Sequence, residues 1–211
     1  QVLGIIKILI KGKYALSLRD CFMACANHFP SNIMRNKQEV VDEILAFITN
    51  RIKTVFQDYG FQKDEIEASL AYGSNDIYDT FCRVKALHEF RQQAKTQFSS
   101  LYEVYKRAKG QLNGHHATSV TQEWLVEPAE QKLNALLDHQ QKAFQEALAK
   151  RDYNQAYALI ATIQPALADL FDQVKILTDD PKIRENRLAL LRRVFNLFGE
   201  ILDFSKIQEK T

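Results

Sequence analysis

The sequence predicts an all-α fold, a helical bundle of about eight helices, on three observations. Seven Gly and four Pro in 211 residues leave few turn signals, so the connections are few and the elements long. Apolar residues recur at three- and four-residue spacing along most of the chain, the period of a helix with one buried face. Capping residues stand where those patterns begin and end. With 46% apolar residues the chain can build a core of ordinary size.

The chain opens with an apolar run from Val2 to Ile10 broken only by Gly4 and Lys7. This is too short for a membrane span and lacks the order of a signal peptide, so it reads as a helix already under way, as in an excised piece of a longer cytosolic protein. Over residues 38–57, Val41, Ile44, Leu45, Ile48, Ile52, Val55 and Phe56 define a helix closed by Gly60. A shorter helix runs from Lys63 to Tyr72 and ends near Gly73. Asp76 then caps one reaching about Gln93. Another spans about Phe98 to Leu112. Asn113 to Gln122, with Gly114, His115 and His116, is the longest polar break and the expected mobile loop. Pro128 suits the first turn of a helix reaching Lys150. Asp152 caps the next, which Pro165 should end or kink near Ile163. Asp180 and Pro181 start a last helix to about Phe204.

Chemistry is sparse in these elements. Cys21, Cys25 and Cys82 lack further Cys or His at zinc spacing and are expected as buried thiols in a reducing compartment. His115 and His116 are adjacent and lack an i, i+4 partner or an orienting carboxylate, so no metal site is expected. There is no glycine-rich phosphate loop, nucleophile elbow or Cys–His pairing, which argues against an ATP-handling or catalytic centre. A phosphohydrolase of the His–Asp type fails because no His-Asp pair follows a metal-ligand pattern.

The basic residues are segregated although the net charge is only +2. Between Arg83 and Lys109 seven Lys/Arg, including Lys85, Arg91 and Lys95, face only Glu89 and Glu103. From Lys182 to Arg193 five face only Glu185. Such segregation makes a positive face that can bind phosphates, or simply solvated helix faces. At about 100° per residue the cations sort into two sets. On the last helix Arg187 falls within the apolar arc of Ile183, Leu190, Leu191, Val194, Leu197, Phe198 and Ile201, with Arg184 near its edge. Buried acceptors are then needed, and Asp172, Asp179 or Asp203 are candidates. Arg83 and Arg91 lie within the arc of Ile77, Phe81, Val84 and Leu87 and are likewise expected to be paired or partly buried. Arg192 and Arg193 point away from their arc. Lys106 and Arg107 lie outside that of Phe98, Leu101, Tyr105 and Ala108. These four, with Lys85 and Lys109, are the candidate phosphate contacts.

The stretch from Leu170 to Lys206, LFDQVKILTDDPKIRENRLALLRRVFNLFGEILDFSK, resembles the C-terminal end of bacterial glycyl-tRNA synthetase beta subunits. The family pattern is a Phe-Asp-x-Val stretch, an acidic pair, Arg-x-Asn-Arg-Leu and a final Asp-x-Ser, filled here by Phe171, Asp172, Val174, Asp179, Asp180, Arg184, Asn186, Arg187, Leu188, Asp203 and Ser205. Upstream, Arg83, Val84, Ala86, Leu87 and Phe90 are similar to an Arg-(Val/Met)-x-Ala-(Leu/Val)-x-x-Phe segment. Lys106 and Arg107 resemble the start of its Lys-Arg-Val-x-Asn-Ile, although this chain continues as Ala108, Lys109, Gly110, Gln111, Leu112. The opening LGIIKILI, with Leu16 and Leu18 after it, resembles an earlier helix of the family.

The resemblance covers essentially the whole chain. It implies that residues 1–30 are the remnant of a preceding HD-type helical domain and residues 31–211 a helical anticodon-binding domain, related to the one closing arginyl-tRNA synthetases. It further implies a cytoplasmic protein that binds tRNA-Gly and partners an alpha subunit, or the alpha part of a fused chain, with no membrane or DNA partner. ATP and Mg serve the full ligase elsewhere, so no cofactor, metal or catalytic residue is expected on this chain. The competing expectation is a helical subunit-docking module without RNA contact.

Overall fold

The computed structural model describes residues 1–30, 36–113, 115 and 119–208. Among them are nine α-helices and no strand: α1 (Val2–Lys11), α2 (Leu18–Asn27), α3 (Lys37–Asp58), α4 (Lys63–Tyr72), α5 (Ile77–Gln93), α6 (Lys95–Leu112), α7 (Pro128–Ala149), α8 (Tyr153–Gln173) and α9 (Pro181–Ile201). Short 3₁₀ turns occupy Gln122–Trp124 and Phe204–Lys206. No helix among the described residues is long and apolar enough to cross a membrane.

The boundaries follow the local chemistry. Asn36 accepts from the backbone N–H of Gln38 at the start of α3, and Asp152 from that of Gln155 at the start of α8. Gly60 takes a positive φ of 88° after α3, where a side chain would be strained. Two expected boundaries are corrected. The last helix stops at Ile201 rather than about Phe204, because Asp203 turns the chain by accepting from the N–H of Ser205 at 3.0 Å. Of the two outcomes expected at Pro165, an end or a kink, the end is excluded, since α8 continues to Gln173. An interior proline costs about 3 kcal/mol. Here it sits on an exposed face, while Ile160, Ala161, Ile163, Ala166, Leu167 and Leu170 are buried on either side of it and hold the helix together.

The helices form two compact units, residues 1–88 with 202–208, and residues 89–201. In the first, Ile6, Leu9, Ile52, Val55, Phe56 and Ile66 are core residues, and Phe56, Phe61 and Phe81 meet edge-on or tilted at 5.6–6.0 Å. The chain returns to this unit through Leu202, Phe204 and Ile207, all buried. Asp203 donates its N–H to the Ala68 carbonyl at 3.0 Å, and Gln208 donates its N–H to Asp64 Oδ2 at 3.0 Å. The buried Glu65 accepts from the Gln62 N–H at 2.9 Å and meets His88 Nδ1 at 2.9 Å. Between α2 and α3, Arg19 donates to Asp42 at 2.7 Å, and this hydrogen bond holds the Asp42 carboxyl below its ordinary value. The cysteines correct an expectation: Cys21 and Cys25 are exposed and only Cys82 is partly covered. On α2 the buried positions are Leu18 and Ala26; Cys21 falls off that face, and Cys25, although near the phase of Leu18, is left uncovered.

In the second unit α6, α7, α8 and α9 pack on one another. Tyr105 of α6 lies between Phe195 and Phe198 of α9, with ring centroids at 5.3 and 5.1 Å. Phe90 stacks on the buried Tyr157 at 5.4 Å. Arg187 is buried, as its helical phase requires, but its acceptor is none of the three expected aspartates. Its Nε donates to Oε1 of Glu130, and Nη1 donates to the Lys175 carbonyl at 2.8 Å. Glu130, in the first turn of α7, also accepts from the Glu127 N–H at 2.8 Å. One carboxylate thus caps α7 and neutralises a cation of α9, which gives the buried charge a counter-charge and a hydrogen-bond acceptor.

Candidate RNA interface

The α6 helix buries Phe98, Leu101, Tyr102, Val104, Tyr105, Ala108 and Leu112, and this leaves Lys106, Arg107 and Lys109 exposed. Lys106 donates to Glu103 at 2.6 Å and lies 5.0 Å from the Tyr102 ring. Arg107 is 4.5 Å over the ring of Phe171 in α8 and forms an ion pair with Asp172 at 3.8 Å. Asp172 was expected as a partly buried structural acid. It is exposed instead, with 73% of its side chain accessible, because the buried face of α8 runs through Leu167, Leu170 and on to Val174.

The cations of α9 are more engaged than their phase suggests. Arg193 is half-buried and donates to Asn134 at 2.5 Å and Asp138 at 2.7 Å, both in α7. Arg192 is partly covered and donates to the His115 carbonyl, with Phe195 5.7 Å away. The reason is that α7 and the α6–α7 connection lie along the flanks of α9, outside its apolar arc. Arg184, near the edge of that arc, donates to the Thr178 carbonyl at 3.2 Å.

The course of that connection is set by a residue whose part in it the sequence did not reveal. Asn186, buried, accepts from the Thr121 N–H at 2.7 Å and donates to the Thr121 carbonyl at 3.1 Å. Farther along, Trp124 lies 5.8 Å from Lys182. His115, Thr121 and Trp124 therefore meet Arg192, Asn186 and Lys182 in turn, so these three residues follow α9 in the antiparallel sense. The available signal was a polar residue at core phase, three after Ile183 and four before Leu190. His116 and Gly114, also in the candidate loop, lie outside the described residues.

Of the remaining sites, Arg91 lies 5.2 Å from the Phe98 ring in the second unit. Arg83 and Lys85 belong to the first unit. Arg83 is buried, donates to Asp79 at 2.7 Å and sits 3.6 Å over the Tyr72 ring. Lys85 is exposed. Asp203 is half-buried in the return segment described above. No group of three or more His, Cys, Asp or Glu able to hold a metal occurs among the described residues. The second unit thus offers α6 cations on its surface and a guanidinium–aromatic–carboxylate cluster beside them, which suits binding of an anionic, base-bearing polymer better than bond-making chemistry.

Two family models match the chain, the glycyl-tRNA synthetase beta subunit over residues 1–71 and the DALR anticodon binding domain over residues 82–209. Similar curated proteins are the glycine–tRNA ligase beta subunits of Anaeromyxobacter dehalogenans (34% identity over 98% of this chain), Desulforamulus reducens (33% over 100%) and Clostridioides difficile (30% over 100%). The chain spans about 30% of the length of each. With a helical bundle in place and the second match covering more than half of its residues, the chain belongs to the DALR anticodon-binding domain family, in the form found in glycyl-tRNA synthetase beta subunits.

Proposed function

We propose that this chain holds tRNA-Gly by its anticodon arm within a bacterial glycine–tRNA ligase. The observation that carries this reading is the anticodon-binding domain match over residues 82–209, which contains the exposed cations of α6. In this reading residues 1–30 end a preceding HD-type helical domain and residues 31–211 form the anticodon-binding domain. Packing does not separate them there, since α1 packs on α3 in the first unit. Glycine activation with ATP and Mg belongs to residues outside this chain, in an alpha subunit or the alpha part of a fused chain. The enzyme works in the cytoplasm, with no membrane or DNA partner.

Phosphate capture falls to the α6 cations Lys106, Arg107 and Lys109, with Arg192, Arg193 and Lys85 as further contributors. Lys109 is exposed, and Lys106 pairs with the exposed Glu103, so little desolvation opposes an exchange for phosphate. Arg192 and Arg193 already serve internal acceptors, and their part is to hold α9, α7 and the connection in register while adding positive potential.

The test is a titration of tRNA-Gly and a noncognate tRNA at two salt concentrations. Salt-dependent binding that prefers tRNA-Gly is expected. Changing Lys106 and Lys109 to Ala should flatten the slope of log affinity against log salt by roughly 0.7–0.9 per charge, equally for both RNAs. Absence of RNA binding at low salt would overturn the reading in favour of a subunit-docking module.

A further inference from the structure

We infer that Arg107, Phe171 and Asp172 form a reading site for a single unstacked cytosine. The inference rests on the RNA-binding reading above. A carboxylate is out of place on a surface that merely collects phosphates, because it repels them. Asp172 nonetheless stands beside Arg107 with most of its side chain in solvent, and about half of the Arg107 side chain is also accessible. Their separation of 3.8 Å is an ion pair too long for a hydrogen bond, so the carboxylate lone pairs and guanidinium N–H groups remain available. Phe171, half-buried in α8, anchors the guanidinium through its ring at 4.5 Å and adds an apolar edge on which a base can rest.

The chemistry of the pair selects the base. Brought into one plane by a base edge, a carboxylate oxygen beside two guanidinium N–H groups presents one acceptor followed by two donors, the hydrogen-bonding order of a guanine edge. Its complement is cytosine, whose exocyclic amine donates while N3 and O2 accept. Uracil reverses the first two positions, so its O4 would face the carboxylate and its N3–H the guanidinium. Glycine codons begin with two guanines, and every glycine anticodon therefore offers two cytosines. Arg107 has a double part here, as a positive charge on the α6 face and as half of the base-reading edge.

The experiment uses the full-length polypeptide and a hairpin RNA whose loop carries both cytosines, with partner hairpins in which each is changed singly to uracil or guanine. Wild type is expected to favour the two-cytosine loop over one of the uracil loops by about tenfold or more. Asp172→Ala should weaken binding of the cytosine loop while leaving the uracil loop unchanged or slightly tighter, so the preference collapses toward one. A purely electrostatic part for Asp172 would raise both affinities together and overturn the inference. Arg107→Lys should keep the salt slope and lose the preference, since the charge remains and the fork does not. A wild-type preference that survives both variants, or a tighter guanine loop, removes the cytosine site while RNA binding stands. A wild type that binds none of the hairpins overturns this inference and the RNA-binding reading together.

Discussion

Arg187 and Arg107 are both arginines of the second unit paired with a carboxylate on another helix, and their surroundings give them opposite work. The Arg187 pair is sealed, with 7% of the arginine side chain and none of Glu130 accessible, whereas the Arg107 pair has 49% and 73% accessible. In water-excluded surroundings neither partner of the first pair can be lost without stranding the other, so that pair is structural. In solvent the second pair holds its members only weakly and leaves both free to exchange for a ligand. The same two functional groups therefore make a bolt in one place and a contact surface in another, and desolvation decides which.

Removing the sealed cation should produce the largest effect. Arg187→Ala is expected to cost about 3 kcal/mol or more, because Glu130 keeps its bond to the Glu127 N–H but loses its counter-charge. Urea denaturation measures it, and a loss below about 1 kcal/mol would mean that the pair is solvated. Adding Glu130→Gln should recover part of the loss. Arg83→Ala comes next, at roughly 2 kcal/mol, since that guanidinium is buried against Asp79 and the Tyr72 ring. Arg193→Ala should cost about 1 kcal/mol, its two acceptors being reachable by solvent once it is gone. A thermal melt of Arg107→Ala should move stability by no more than roughly 0.5 kcal/mol, and a larger shift would place this arginine with the structural set.

The smallest effect concerns Asp42. The Arg19 hydrogen bond lowers its carboxyl in the folded protein, so its contribution to stability is present above the ordinary carboxylate value and fades as pH falls through the lowered one. An NMR titration should place its midpoint below that of an unpaired aspartate, and Arg19→Ala should return it to the ordinary range.

The ordering also shows what the sequence could reveal. Helical phase told the buried Arg187 from the exposed Arg107, because phase is a local property that 3.6 residues per turn imposes. It could not name the acceptor of Arg187. Glu130 lies 57 positions away and has the local look of a first-turn helix acid that should face water. Asp172 failed in the opposite sense. As a candidate acceptor for Arg187 it is expected to face the core, yet from Leu170 two residues along a helix is roughly 200°, away from the core. Arg192 and Arg193 lie outside the apolar arc in phase, but the arc does not record that α7 and the connection cover its flanks. Pairings across helices are tertiary, and periodicity carries no term for them.

The return of Leu202–Gln208 to the first unit has a consequence for the order of synthesis. A ribosome delivers residues 1–88 early, but Leu202, Phe204 and Ile207 emerge only after α6 to α9 have been made. Until then the Ala68 carbonyl lacks the N–H of Asp203, and the apolar surface those three residues cover stays wet. The first unit to appear is thus the last to be completed. Its late closure couples the two halves in time, and a nascent chain halted before residue 202 would present an unfinished apolar face to the chaperones that attend translation.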